Sequence, residues 1–194
     1  DFSSSQIIDI GGNDSYLLKK FLNKTDKLIN IDPHASSDDQ RIQIKKVFFE
    51  SIDFSEFDLS GNSVFVSSHT FEHLEDPVKV LRNLANIVKE RDELFLQFPS
   101  AEKLVEFSRY DQICHQHINL FTVNSVTTML EKEGLFLNAY EFDTFHFGTI
   151  RLKFSRSSEI ELKGTNLLIS DIKKSYENFK SFYLTLNSLI EDKF

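Results

Sequence analysis

Between Gln6 and Leu22 the chain runs QIIDI, GGND and then SYLLKKFL. The first stretch is apolar and β-branched, a glycine pair stops it, and the third sets apolar residues at helical spacing. A buried strand, a sharp turn and a helix therefore follow one another. The order recurs. KLINID (27–32) reads as a second strand ending in an acid, IQIKKVFF as a third, SVFVSS (63–68) as a fourth and ELFLQFP as a fifth. Before the fifth, DPVKVLRNLANIVKE places Asp76 to cap a helix, Pro77 at its first position, and Leu81, Leu84 and Val88 on one face. Strands and helices alternating in this way imply an α/β fold, with a parallel sheet covered on both faces.

Beyond Pro99 the pattern changes. Residues 100–121 are polar and irregular, and TVNSVTTMLEKEG is then a helix with Thr122 as its cap and Gly134 as its stop. LFLNAYEFDT and GTIRLKFSR follow as two strands joined by a short turn, an antiparallel hairpin at one end of the sheet. From Leu167 to Phe194, Ile172, Tyr176, Phe179, Tyr183, Leu186 and Ile190 alternate at spacings of four and three. Such a stripe on one long helix docks on the core or forms a dimer or interdomain seam. The expected division is a domain at 1–160, with an acceptor-site insert at 100–121, and a helical extension at 161–194. The chain starts at Asp1 and ends within or just after a helix, so further residues are expected at either end.

A length of 194 residues suffices for a core without staples. The formal charge of -8 argues against nucleic-acid or anionic-membrane binding, which need clustered Lys and Arg. The single cysteine, Cys114, cannot form an intramolecular disulfide; with no spanning-length apolar run or signal layout, the cytoplasm is the expected compartment.

In an open parallel sheet a ligand sits beyond the carboxyl ends of the strands, where strand order reverses, so the first strand and its turn are the place to look. The turn Asp9–Asp14, DIGGND, fits neither the G-x-G-x-x-G spacing nor a phosphate loop, which suits a nucleoside ligand without pyrophosphate. Asp32 is placed either to accept from ribose hydroxyls or to serve as a turn aspartate before Pro33. YDQICHQHINLF, residues 110–121, holds His115 and His117 one residue apart. In an extended stretch they would share a side, suited to proton handling. With Asp111 they could instead ligate a metal, or they could be structural. No third strong ligand is evident, and no bound metal is expected.

Taken together, these segments resemble the class I S-adenosylmethionine-dependent methyltransferases. IIDIGGNDSYLL is similar to that family's first motif, INIDPH to its second-strand acid, and SSHTFEHLEDPVKVLRNLANIVK to the segment after its fourth strand. The resemblance implies a doubly wound, seven-stranded Rossmann-like sheet with an antiparallel C-terminal hairpin and a C-terminal helix. It also implies S-adenosyl-L-methionine as cofactor, contacted by Asp9, Gly11, Gly12, Asn13, Asp14, Asp32, Phe49, Ser68, His69 and His73. YDQICHQHINLFTVNSVTTMLEKEGL resembles the HEH segment of the sugar C-methyltransferases, and FHFGTIRLKF their HGGSLRV strand. Cys114 and Gln116 stand where that family has a tyrosine and the central glutamate, and Phe147 replaces a glycine, so a mechanism needing that carboxylate does not carry over.

The expected activity is methyl transfer to oxygen or carbon of a small acceptor: a sugar, sugar nucleotide or related phosphorylated intermediate of surface-polysaccharide or natural-product synthesis. His117 and His115 are the expected acid/base groups, and Gln116, His146 and Arg151 the acceptor contacts. Alternatives are a metal-dependent hydrolase or lyase using His115 and His117, and a non-catalytic interaction module whose interface is the final helix.

Overall fold

In the computed structural model, residues 5–52, 59, 61–144, 148–157 and 169–191 are described. Seven strands form one sheet: β1 (Ser5–Ile10), β2 (Leu28–Ile31), β3 (Ile42–Lys45), β4 (Asn62–Ser68), β5 (Glu93–Pro99), β6 (Phe136–Asp143) and β7 (Thr149–Ser155), in the order β3-β2-β1-β4-β5-β7-β6. The first five are mutually parallel where paired, while β7 runs antiparallel to both β5 and β6. After β3 the chain returns to the far side of β1. The carboxyl ends of β1 and β4 therefore flank the point where strand order reverses, the place where open α/β sheets bind ligands.

The helices are α1 (Tyr16–Lys19), α2 (Pro77–Ile87), α3 (Ala101–Glu106), α4 (Val123–Glu131) and α5 (Ile169–Glu191). Asp76 accepts from the Lys79 N–H at 2.9 Å with Pro77 next in the chain, and α2 buries Val80, Leu81, Leu84 and Ala85. Thr122 accepts from the Ser125 N–H, and the Ser125 hydroxyl lies 3.0 Å from the Thr122 N–H, completing a reciprocal cap on α4. Arg156 joins the far ends of both helices. Its guanidinium donates to the carbonyls of Val88, Ala85, Glu133 and Gly134, neutralising two helix C-termini at once. The larger core lies on this side of the sheet, from Ile8 and Ile10 through Phe65, Leu96 and Phe98 to Ile150 and Phe154.

The other face carries a smaller core that includes Ile7, Leu18, Leu28, Ile42 and Val64. Four expectations need correction. The segment expected as a helix over Ser15–Leu22 supplies only Tyr16–Lys19, because the chain turns at once after Lys20. Beside it a cleft of about 670 Å³ opens over Val66, Phe95, Ala139 and Leu152. The polar stretch after Pro99 contains α3, whose cap Ser100 accepts from the Lys103 N–H at 3.1 Å; its buried Glu102 takes the Val123 N–H at 2.7 Å. Among the described residues the a/d stripe of α5 does not dock along its length. Ser175 is buried against the Val105 carbonyl and Tyr176 and Phe179 meet Tyr110, yet Tyr176, Tyr183, Leu186 and Ile190 all stay about half exposed. Finally, residues 114–117 do not extend but form a turn, closed by His117 N–H to Cys114 O at 3.1 Å.

Candidate active site

The glycine bend leaves β1 through Gly11 at φ +78°, a left-handed conformation that a side chain resists. A Cβ there would meet Thr70 Oγ1 at 2.0 Å, so the loop after β4 approaches this glycine too closely for any other residue. At Gly12 a Cβ would lie 2.6 Å from Asn30 Oδ1 and 2.8 Å from Asp9 Oδ2. The bend is pinned from three sides. Asn30 donates to the Asn13 carbonyl at 3.0 Å and to Ser15 Oγ at 2.8 Å, and Ser15 Oγ donates to the Ser36 carbonyl at 2.7 Å. Ser15 is fully buried in the left-handed region at φ 63°, a conformation that favours glycine. Its two side-chain hydrogen bonds offset the backbone cost of roughly 1 kcal/mol.

Asp32 closes β2 facing the bend. Its Oδ2 accepts from the Asn13 N–H at 3.3 Å and its Oδ1 from the His34 N–H at 2.6 Å. It is thus a turn aspartate before Pro33 and His34, and each carboxylate oxygen keeps a further lone pair for ligand hydroxyls. Asp9, 3 % exposed at the end of β1, has its pKa pushed up to about 7, first by burial and then by the negative charge of Asp32. A cation settling on the bend would relieve that. Asp14 is exposed and accepts from the Tyr16 N–H at the start of α1. Phe49 is buried in the 3-10 turn Phe49–Ser51 and belongs to the larger core.

Ser68 ends β4, and His69 follows at φ 53° with its Nδ1 3.1 Å from Glu72 Oε1. Glu72 is 1 % exposed in the 3-10 turn Phe71–His73. His73 Nδ1 donates to the Gln116 carbonyl at 2.7 Å, so in the neutral ring Nε2, 4.0 Å from Glu72 Oε1, is the nitrogen with a free lone pair. The His73 and His117 rings lie 5.2 Å apart, tilted by 57°. Asn119 staples the two segments: its N–H bonds Glu72 O at 3.1 Å, and its side chain donates to Phe71 O and Leu74 O.

The structure therefore separates the two histidines that sequence spacing placed together. His117 turns inward against His73 and Glu72, while His115 is exposed at the tip of the turn. Asp111 is committed to Arg109 at 2.6 Å, which holds its carboxyl below the usual range. Gln116 meets His73 through its main chain. Arg151 is paired with Glu141 at 2.8 Å and with Asp143, on the open face of the sheet. His146 lies outside the described residues. Glu72 was not anticipated as a site residue, although a glutamate flanked by His69 and His73 just after a β-rich strand was a visible signal.

A glycine bend gripped by an acid on the neighbouring strand, at the reversal point of a 3-2-1-4-5-7-6 sheet, defines an α/β enzyme that holds a nucleoside-bearing group donor. Comparisons make this specific. The sequence profile of a family described as a methyltransferase domain matches residues 1–138. Comparison with curated protein sequences finds no match. Among solved structures, a chain of the Haloferax volcanii complex between the Trm112 methyltransferase activator and a methyltransferase superposes with a TM-score of 0.63 at 14% identity, over 79% of this chain and 83% of that one. The magnesium protoporphyrin IX methyltransferase of Synechocystis PCC 6803, with bound S-adenosylhomocysteine, gives 0.62 at 12% identity, over 81% and 76%. LepI in complex with S-adenosylmethionine gives 0.57 at 14% identity, over 79% and 43%. The chain belongs to the methyltransferase-domain family and is an S-adenosylmethionine-dependent methyltransferase.

Proposed function

We propose that the chain moves the methyl of S-adenosylmethionine to oxygen or carbon of a small acceptor: a sugar, sugar nucleotide or related phosphorylated intermediate of surface-polysaccharide or natural-product synthesis. Gly11, Gly12, Asn13 and Asp14 follow the methionine and ribose ends of the donor, Asp32 takes the ribose hydroxyls, and Ser68, His69 and His73 border it. The sulfonium methyl is already electrophilic, so what remains is to align the attacking atom and remove its proton. An imidazole of the 115–117 turn accepts that proton: His117 from within the cluster, or His115 from the exposed side.

The observation that carries this reading is the His73–His117 pair: His73 sits on the loop that touches the glycine bend through Thr70, and His117 packs against it from the 114–117 turn. The acceptor class rests on the likeness of residues 110–135 to the sugar C-methyltransferases. Gln116, His146 and Arg151 complete the acceptor side, and a phosphate reaching Arg151 would displace Glu141 and Asp143. The exposed Tyr183, Leu186 and Ile190 of α5 support a contact with a second copy or another domain.

The experiment uses S-adenosylmethionine carrying an isotopically labelled methyl and a panel of sugar nucleotides, followed by mass spectrometry. Label on a panel member, lost in His117→Asn or His115→Asn, supports the proposal. Transfer only to an acceptor of another chemical class overturns the acceptor assignment. Turnover intact in both variants removes the imidazole base.

A further inference from the structure

Two polar atoms in the cluster have no protein partner among the described residues: Glu72 Oε2 and His117 Nδ1, both buried. A buried carboxylate oxygen and a buried imidazole nitrogen without hydrogen bonds cost several kcal/mol between them unless something unseen satisfies both. The third member is complementary. His73 spends its Nδ1 proton on the Gln116 carbonyl, the arrangement by which a backbone carbonyl fixes the tautomer of a metal-binding histidine and turns the lone pair of Nε2 toward the ion.

We propose that Glu72, His73 and His117 form a binding site for one divalent transition-metal ion. Candidate ligand atoms on the three residues all lie within 4.8 Å of one another. Ligands about 2.1 Å from a tetrahedral ion are roughly 3.4 Å apart, so side-chain rotations closing the set by up to about 1.4 Å seat the ion. Two imidazoles and one carboxylate suit zinc, manganese or iron, and not magnesium or calcium, which prefer all-oxygen shells.

The surroundings are already built for the role. Glu72 is oriented by His69 on its other oxygen, and Asn119 fixes the 71–74 turn against the segment carrying His117. His73 is partly open to solvent, its side chain 42% exposed, so three protein ligands on the inner side leave outward positions for water or for an acceptor oxygen. These ligands differ from those suggested by sequence spacing: Asp111 and His115 take no part, and two of the three come from the loop after β4.

This inference deepens the methyl-transfer reading and rests on it for what the ion does. An acceptor hydroxyl on the open position is acidified by the cation. Its proton leaves to solvent or to the exposed His115, its oxygen bonds the methyl carbon, and the carbon–sulfur bond breaks with its electron pair going to sulfur. The products are a methyl ether, S-adenosylhomocysteine and one proton. His117 is then a ligand and His115 the imidazole free to carry the proton, and the acceptor atom is oxygen.

The test needs no acceptor. Protein stripped with a chelator and dialysed is titrated by calorimetry with zinc or manganese, with stoichiometry checked by elemental mass spectrometry. Separately, each protein is titrated with S-adenosylhomocysteine. The expected result is one ion per chain and a rise in melting temperature. Affinity falls at least ~100-fold in His73→Asn and in His117→Asn, is retained in His115→Asn, and the homologue still binds the wild type, His117→Asn and His115→Asn. His73→Asn, at an exposed side chain, keeps the test valid if Glu72→Gln does not fold. Sub-stoichiometric binding by the wild type, or an affinity unchanged in His117→Asn, overturns the metal site. Stoichiometric metal with no binding of the homologue would leave the site standing and sink the donor reading instead.

Discussion

Asp9 gives the most quantitative prediction. Burial, then repulsion by Asp32, raises its pKa from 3.8 to about 7. At about 1.36 kcal/mol for each pH unit, the rise from 3.8 to about 7 corresponds to a ceiling of roughly 4 kcal/mol. The folded pKa lies above the unfolded one. Between 3.8 and about 7 the native chain therefore keeps a proton that the unfolded chain has released, and stability falls as pH rises across that window. Above 7 the whole cost of ionising Asp9 is present. Asp9→Asn preserves shape and removes the ionisation. The variant should be more stable than the wild type at pH 8, by about 1 to 4 kcal/mol, and no more stable at pH 4. Urea denaturation of both proteins at half-unit pH steps measures this, and subtracting one curve from the other removes every group they share. Donor binding should shift the other way: the positive end of the methionine moiety favours ionised Asp9, so wild-type affinity rises toward pH 7 and beyond, while the variant binds more weakly with a flatter profile. A stability difference that does not change between pH 4 and 8 would refute the account of Asp9.

Asp32→Asn should weaken S-adenosylhomocysteine binding at least ~10-fold by calorimetry, through loss of charge-assisted bonds to the ribose. It should also move the Asp9 midpoint down, because the second cause of that shift is gone. Gly11→Ala imposes a left-handed alanine and a Cβ 2.0 Å from Thr70 Oγ1; a loss of roughly 2 to 4 kcal/mol in urea melts is expected, with donor binding abolished. Arg156→Ala strips four helix-end carbonyls of their shared donor and should cost about 2 to 4 kcal/mol without altering donor affinity at saturating fold; an unchanged urea midpoint would contradict the capping role.

The sheet was legible because its signals are local. β1 and the glycine bend, the Asp76-Pro77 start of α2 and the Thr122 cap of α4 each announce themselves within a few residues, and strand–helix alternation then restricts the topology. What escaped was set by tertiary contact. α3 hides in a polar stretch because its apolar side is only Ala101, Leu104 and Val105 and its cap is a lone serine. The stripe on α5 has the spacing of a buried seam, yet spacing cannot say how much of a helix finds a partner, and among the described residues the turns near Tyr110 and Val105 do. At the site, His115 and His117 were paired by a period of two that a turn at 114–117 cancels. The cluster that forms instead joins residues 72 and 73 to 117, a separation of more than forty positions bridged by Asn119. No spacing rule reaches that far.

The most direct measurement is a crystal structure with S-adenosylhomocysteine bound. Ribose hydroxyls are expected within hydrogen-bonding distance of Asp32, with the amino-acid end running over Gly11 and Gly12 beside Asp9. A nucleoside lodged in the open sheet cleft over Phe95 and Leu152, with the bend unvisited, would contradict this placement.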